Sequence, residues 1–61
     1  MNYTVGIDSG STATKGILLA DGVIVRRFLC PTPFRPADAI VEAWETLRAG
    51  LSERPFLTLT G

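Results

Sequence analysis

The stretch Gly6-Ile7-Asp8-Ser9-Gly10-Ser11-Thr12-Ala13-Thr14-Lys15 decides the fold of this chain. Just before and into it, Tyr3, Val5 and Ile7 alternate with Thr4, Gly6 and Asp8. That is the period of a half-buried strand, and it predicts a first strand over residues 3–8. Residues 9–13 are small, hydroxyl-bearing or glycine, the chemistry of a turn. Residues 14–20 are again apolar, with Ile17, Leu18 and Leu19, and predict a second strand. A strand and not a helix therefore follows the turn. This excludes a Walker-type loop, in which phosphate rests on a helix N-terminus, and it excludes a dinucleotide-binding unit for the same reason.

Further along, Asp21-Gly22 is a hairpin signal, because a type I′ turn needs positive φ at both central positions. It leads into a third strand over about residues 23–30, carrying Val23, Ile24, Val25, Phe28 and Leu29, with Arg26 and Arg27 on a wet side. Pro31, Pro33 and Pro36 break further pairing. Pro36 suits the first position of a helix, where a backbone N–H is not needed. Asp38 then lies in the first turn, where its charge favours the positive end of the helix dipole. Ile40, Val41, Trp44, Leu47 and Leu51 recur at helical spacing and predict one apolar stripe, with Glu42, Glu45 and Arg48 on the wetter side. Gly50 weakens or ends the helix. Pro55 restarts extended chain, and Phe56, Leu57 and Leu59 predict a fourth strand in which Thr58 and Thr60 are the alternating positions.

The order is thus βββαβ. Tight hairpins make strands one to three antiparallel, and a right-handed crossover through the helix places strand four parallel to strand one, on its free side. The fold class is α/β with a mixed sheet.

With six basic and six acidic residues, the 61-residue chain has no net charge. No basic face points to nucleic acid or to an anionic membrane. No apolar run approaches the roughly 20 residues of a membrane span, and Met1-Asn2-Tyr3-Thr4 lacks the basic and apolar regions of a signal peptide. The lone Cys30 cannot form an intramolecular disulfide. These features point to the cytoplasm. A domain of this size buries only about 60% of its unfolded surface, and no disulfide or His/Cys cluster staples it. We therefore expect either a piece of a larger protein or self-association, with homo-oligomers forming through the open edge of strand four in this short form.

The loop has a plain reading and a sharper one. Asp, Ser and Gly are ordinary hairpin residues, and Asp8-Ser9-Gly10-Ser11 serves as a turn on that account alone. In the sharper reading, Asp8 projects at the carboxyl end of a strand, where ligands gather in open α/β sheets. A carboxylate there holds Mg²⁺ directly or through water. Gly10 lets the backbone approach phosphate without a Cβ in the way. Successive N–H groups of Gly10, Ser11 and Thr12 form an anion-binding concavity, with the Ser11 and Thr12 hydroxyls as added donors. Lys15 supplies a compact positive charge for β- or γ-phosphate oxygens.

Gly6-Ile7-Asp8-x-Gly10-Ser11-Thr12-x-x-Lys15, followed by an apolar strand and Asp21-Gly22, resembles the first phosphate loop of the actin, hexokinase and heat-shock-chaperone ATPase superfamily. Within it the chain is most similar to the ATPase activators of 2-hydroxyacyl-CoA dehydratases and the related benzoyl-CoA reductase ATPase subunits. The Pro-x-x-Ala-Ile segment at residues 36–40 and Leu57-Thr58-Leu59-Thr60-Gly61 also resemble that family, so the likeness spans essentially the whole chain. It implies a ribonuclease-H-like, actin-type fold, an ATP-hydrolysing parent protein, and residues 1–61 as the incomplete N-terminal part of one lobe of it. Such activators are homodimers that bind ATP and Mg²⁺ between two lobes. They carry a bridging [4Fe-4S] cluster and drive a low-potential electron into a dehydratase partner. Transferred to this sequence, Asp8 belongs to the Mg²⁺ and water network and is the candidate catalytic residue, while Gly10, Ser11, Thr12 and Lys15 contact phosphates.

The departures count too. Cys30 does not match the family's cluster cysteines, which lie in later motifs, and reads as an inert thiol at a strand end. The second phosphate loop, adenosine pocket and second lobe lie outside these residues, so we expect no useful ATPase turnover from this chain alone. Trp44 falls on the apolar stripe and reads as core. Arg26 and Arg27 read as a solvated strand face. Glu42 and Glu45 are not convincing acid/base partners. Thr60-Gly61 has the sharper option of opening a second functional loop. Two alternatives stand beside the activator: a kinase of the same superfamily acting on a sugar or similar metabolite, and a non-enzymatic interaction module in which the turn is only a turn.

Overall fold

The computed structural model describes residues 2–61. Along the chain run β1 (Tyr3–Ser9), β2 (Ala13–Ala20), β3 (Val23–Pro31), α1 (Pro36–Arg48) and β4 (Phe56–Thr60). They form one four-stranded sheet in the order β3-β2-β1-β4. Both hairpins are antiparallel, and β4 adds to the free side of β1 in parallel. The expected α/β class, strand directions and mixed sheet are all present. Asp21 and Gly22 have φ of 50° and 85°, the positive pair that the tight turn requires. This turn also binds the N-terminus: the Asn2 N–H donates to Asp21 Oδ1 at 2.9 Å, and the Asp21 N–H donates to the Asn2 carbonyl at 2.8 Å.

Strand alternation sends Val5, Ile7, Thr14, Gly16 and Leu18 to one face, which α1 covers. The core is Val5, Ile7 and Leu18 of the sheet against Ala43 and Leu47 of the helix, with Tyr3, Phe28, Ile40, Trp44 and Leu51 packed around it. The helix stripe differs from expectation. Its buried centre is Ala39, Ala43 and Leu47, whereas Val41 is 58% exposed. The alanines, four residues apart, let the helix axis approach the sheet, and the larger Ile40 and Trp44 flank that line. Gly16 allows the same approach from the sheet side. A Cβ built there would lie 2.7 Å from Leu47 Cδ1.

The helix starts as its sequence dictates, with Pro36 in its first turn and Asp38 close behind. Its far end falls where Gly50 is expected to end it. Gly50 adopts φ of 80° just past the last turn, and the Leu51 N–H reaches back to the Arg48 carbonyl at 3.2 Å. Arg26 completes the cap. Its guanidinium donates to the carbonyls of Leu47 at 3.0 Å and Ala49 at 2.6 Å. The sequence expectation that both arginines form a solvated strand face is therefore corrected. Arg27, paired with Ile17, lies on the helix-free face, while Arg26, paired with Leu18, lies on the helix side.

A β-bulge explains this. Leu18 pairs with Arg26 but Leu19 pairs with Ile24, so Val25 is an extra residue in β3. The strand also runs one residue past its expected end, since Pro31 pairs with Ala13. Proline is tolerated there because β3 is an edge strand. At the other edge, α1 packs on β1, β2 and β3 but not on β4. Leu57 and Leu59 stay 45% and 52% exposed on the face that β1 buries. No helix among the described residues is long and apolar enough to cross a membrane.

Candidate functional site

The loop between β1 and β2 is tighter than residues 9–13 suggest. Ser9 pairs with Thr14 as the last rung of the ladder. One step further, the Gly10 N–H donates to the Ala13 carbonyl at 2.9 Å, leaving Ser11 and Thr12 as the exposed tip. This corrects the expectation that three successive N–H groups face outward. The Gly10 amide is committed to the hairpin, and the tip offers the Ser11 and Thr12 amides, which bond to no acceptor among the described residues. Gly10 instead answers to space: a Cβ there would sit 3.3 Å from the Ala13 carbonyl oxygen.

A chain of hydroxyls ties the loop to the rest of the sheet, and Thr32, just beyond β3, is its hub. Thr32 Oγ1 donates to the Gly10 carbonyl at 2.7 Å and meets Thr14 Oγ1 at 3.0 Å. Thr14 Oγ1 in turn meets Ser9 Oγ at 3.3 Å. A hydroxyl has one proton to give, so the order is fixed. Ser9 donates to Thr14, Thr14 to Thr32, and Thr32 to the loop. The Thr32 N–H adds a bond to the Thr12 carbonyl at 3.0 Å. Thr14 is fully buried, and this chain is what satisfies its hydroxyl.

Asp8 and Lys15 are register partners across β1 and β2. Both are exposed, and they form no ion pair or hydrogen bond with each other. Their side chains share the helix-free face with Gly6 and Ile17. Across β1, the parallel register sets Thr60 beside Asp8 and Thr58 beside Gly6. Together these residues line a shallow groove of about 250 Å³. The groove lies at the carboxyl ends of the parallel pair β1 and β4, the end at which ligands collect in open α/β sheets. Gly61 closes the corner with φ of 128°, and a Cβ there would overlap the Ser9 backbone.

The candidate residues thus divide in two. Asp8 and Lys15 meet in the groove, Ser11 and Thr12 form the adjacent tip, and Gly10 is the hinge between them. Sequence reasoning missed Thr14 and Thr32; it took Thr58 as plain strand alternation, and gave Thr60, beyond that alternation, only the option of opening a second loop with Gly61. The parallel pairing of β4 with β1 was the available signal, because it sets Thr60 opposite Asp8.

Asp8 is the single carboxylate lining the groove, and no three of His, Cys, Asp and Glu gather among the described residues. One carboxylate with open space beside it fits Mg²⁺, which takes one or two carboxylates and fills its remaining positions with water and phosphate oxygens. The groove falls below the roughly 300–1,000 Å³ of a small-molecule pocket. It accommodates a phosphate end and not a whole nucleotide. Cys30 is half-buried and free, paired with Thr14 on the helix side and away from the groove.

Comparison with known proteins gives one informative likeness. The chain is 82% identical over all 61 residues to uncharacterized protein YjiL of Escherichia coli (strain K12). No family model matches the chain, and no solved structure matches it significantly. The chain spans 24% of the length of the YjiL protein.

Proposed function

We propose that this chain is the phosphate-binding wall of an ATPase with the ribonuclease-H-like, actin-type fold, of the kind that activates 2-hydroxyacyl-CoA dehydratases. The observation that carries the reading is the meeting of Asp8 and Lys15 in one groove beside two unbonded loop amides. A carboxylate and an ammonium on facing rungs normally neutralise each other. Here both are free to engage a third party that carries a metal cation and phosphate oxygens together.

In this reading Lys15 holds a terminal phosphate oxygen as a point charge. The Ser11 and Thr12 amides and hydroxyls receive the neighbouring oxygens. Asp8 orients water and a magnesium ion at the phosphate end. When bound, that ion neutralises charge developing on the phosphates. The nucleoside, the second phosphate loop, the iron–sulfur ligands and the dehydratase contact belong to parts of the parent protein outside these residues. The 24% coverage of an 82%-identical relative supports a longer parent.

The test is titration of the ¹⁵N-labelled chain with magnesium pyrophosphate and with MgATP, following the amides of Gly10 to Lys15. A single wall must offset the whole cost of immobilising its ligand, so saturation is expected only at about millimolar concentrations. Both ligands should move the same amides, and Lys15→Ala should abolish the response. Absence of any shift at Ser11 and Thr12 at saturating concentration refutes the reading.

A further inference from the structure

We propose that Thr32 is a positioning residue that presets the Ser11 amide to face an oxyanion. The inference rests on the phosphate reading above and extends it to a residue in another strand's exit.

A trans peptide unit is planar, with its C=O and N–H pointing in opposite directions. Whatever grips a carbonyl therefore aims the following N–H. Thr32 grips two carbonyls of the loop, those of Gly10 and Thr12, through its hydroxyl and its own amide. The first bond turns the Ser11 N–H away from Thr32. The second aims the Ala13 N–H and leaves the unit that carries the Thr12 N–H between two clamped ones. The Gly10 N–H is already held by Ala13. Of the two tip amides left without an acceptor, the clamp therefore aims that of Ser11.

The hydroxyl chain gives Thr32 its own orientation. Because Thr14 donates to Thr32, the Thr32 proton must point at the Gly10 carbonyl. Hydrogen bonds in series polarise one another, so the buried end of the chain strengthens the exposed end. An exposed two-residue tip would otherwise wander and lose entropy on binding. Clamping it beforehand lowers that loss.

The experiment compares Thr32→Val, which keeps the shape and removes the hydroxyl, with Thr32→Ser, which keeps the hydroxyl. Each variant of the ¹⁵N-labelled chain is titrated with magnesium pyrophosphate, and the ¹⁵N order parameters of Ser11 and Thr12 are measured without ligand. Thr32→Val should weaken binding about five-fold, the worth of one net hydrogen bond, and should lower the Ser11 order parameter. Thr32→Ser should restore both to wild-type values, a rescue that a packing role would not give. Should the valine variant unfold, Thr32→Ala makes the same deletion without the extra methyl. Wild-type affinity in the hydroxyl-deleted variant overturns this proposal alone. Failure of the wild-type chain to respond at Ser11 and Thr12 overturns the phosphate reading and this proposal with it.

Discussion

Replacing Gly16 with alanine tests how closely the helix is seated. The added Cβ would stand 2.7 Å from Leu47 Cδ1, well inside van der Waals contact. Leu47 is fully buried, with Val5, Ile7, Leu18 and Ala43 in the same cluster, so its side chain has no solvent to turn into. Forcing an extra methyl into such a core costs about 1–3 kcal/mol. Alanine recovers part of this, roughly 0.5–1 kcal/mol, by restricting the unfolded chain. The net expectation is a loss of about 1–2 kcal/mol, read as a fall in Tm of about 4–8 °C per kcal/mol for a domain of this size. Leu47→Ala alone should cost about 2–5 kcal/mol by opening a cavity. The double variant should cost less than the sum, because the Gly16→Ala methyl enters the space that Leu47 vacates. Urea denaturation at fixed protein concentration measures all three variants. Wild-type stability for Gly16→Ala, or strict additivity in the double variant, refutes the packing argument.

Other outcomes follow from the same geometry. Arg26→Ala should destabilise by about 1–2 kcal/mol through loss of a charged cap on two carbonyls, whereas Arg27→Ala should lie within about 0.5 kcal/mol of wild type; equal effects in denaturation would refute the division of roles between them. Gly61→Ala should push the end of β4 away from Ser9, seen as large amide shifts at both Ser9 and Thr60, and an unchanged spectrum there would contradict the close approach. The chain should associate through the open edge of β4, and Leu59→Lys should suppress this. Light scattering that shows a monomeric wild type at high concentration would refute that expectation.

The strands and their directions were legible because each signal was local. Alternation marked β1, Asp21-Gly22 marked the second hairpin, and Pro36 with Asp38 marked the helix start. Apart from the local bond between the Gly10 N–H and the Ala13 carbonyl, the features that sequence reading missed depend on residues far apart in the chain. Ala39 and Ala43 form the buried line because the helix lies close to the sheet, where Gly16 leaves room for Leu47, and that approach is invisible until the two meet. Arg26 caps a helix end that begins about twenty residues later. Thr32 looked like one more polar residue in a proline-rich exit, yet it bonds Gly10 and Thr12. The site was half legible on the same grounds. Asp8 and Lys15 could be assigned from the loop itself, but Thr58 and Thr60 join it only through parallel pairing with β1.

The extra residue at Val25 bears on how sequences of this kind should be aligned. It stands three positions beyond a hairpin turn, where insertions and deletions are ordinarily harmless. Here the bulge absorbs the extra residue: without Val25, the pairs Leu19–Ile24 and Leu18–Arg26 would be successive rungs of a regular ladder. Arg26 would keep its place at the helix end, Phe28 its place in the core, and Thr32 its step at the loop tip. The bulge is therefore a slack point at which chain length can change while two distant contacts stay in phase. An alignment that places a one-residue gap between Ile24 and Arg26 still describes a molecule with both contacts, whereas a one-residue gap between Arg26 and Thr32 does not.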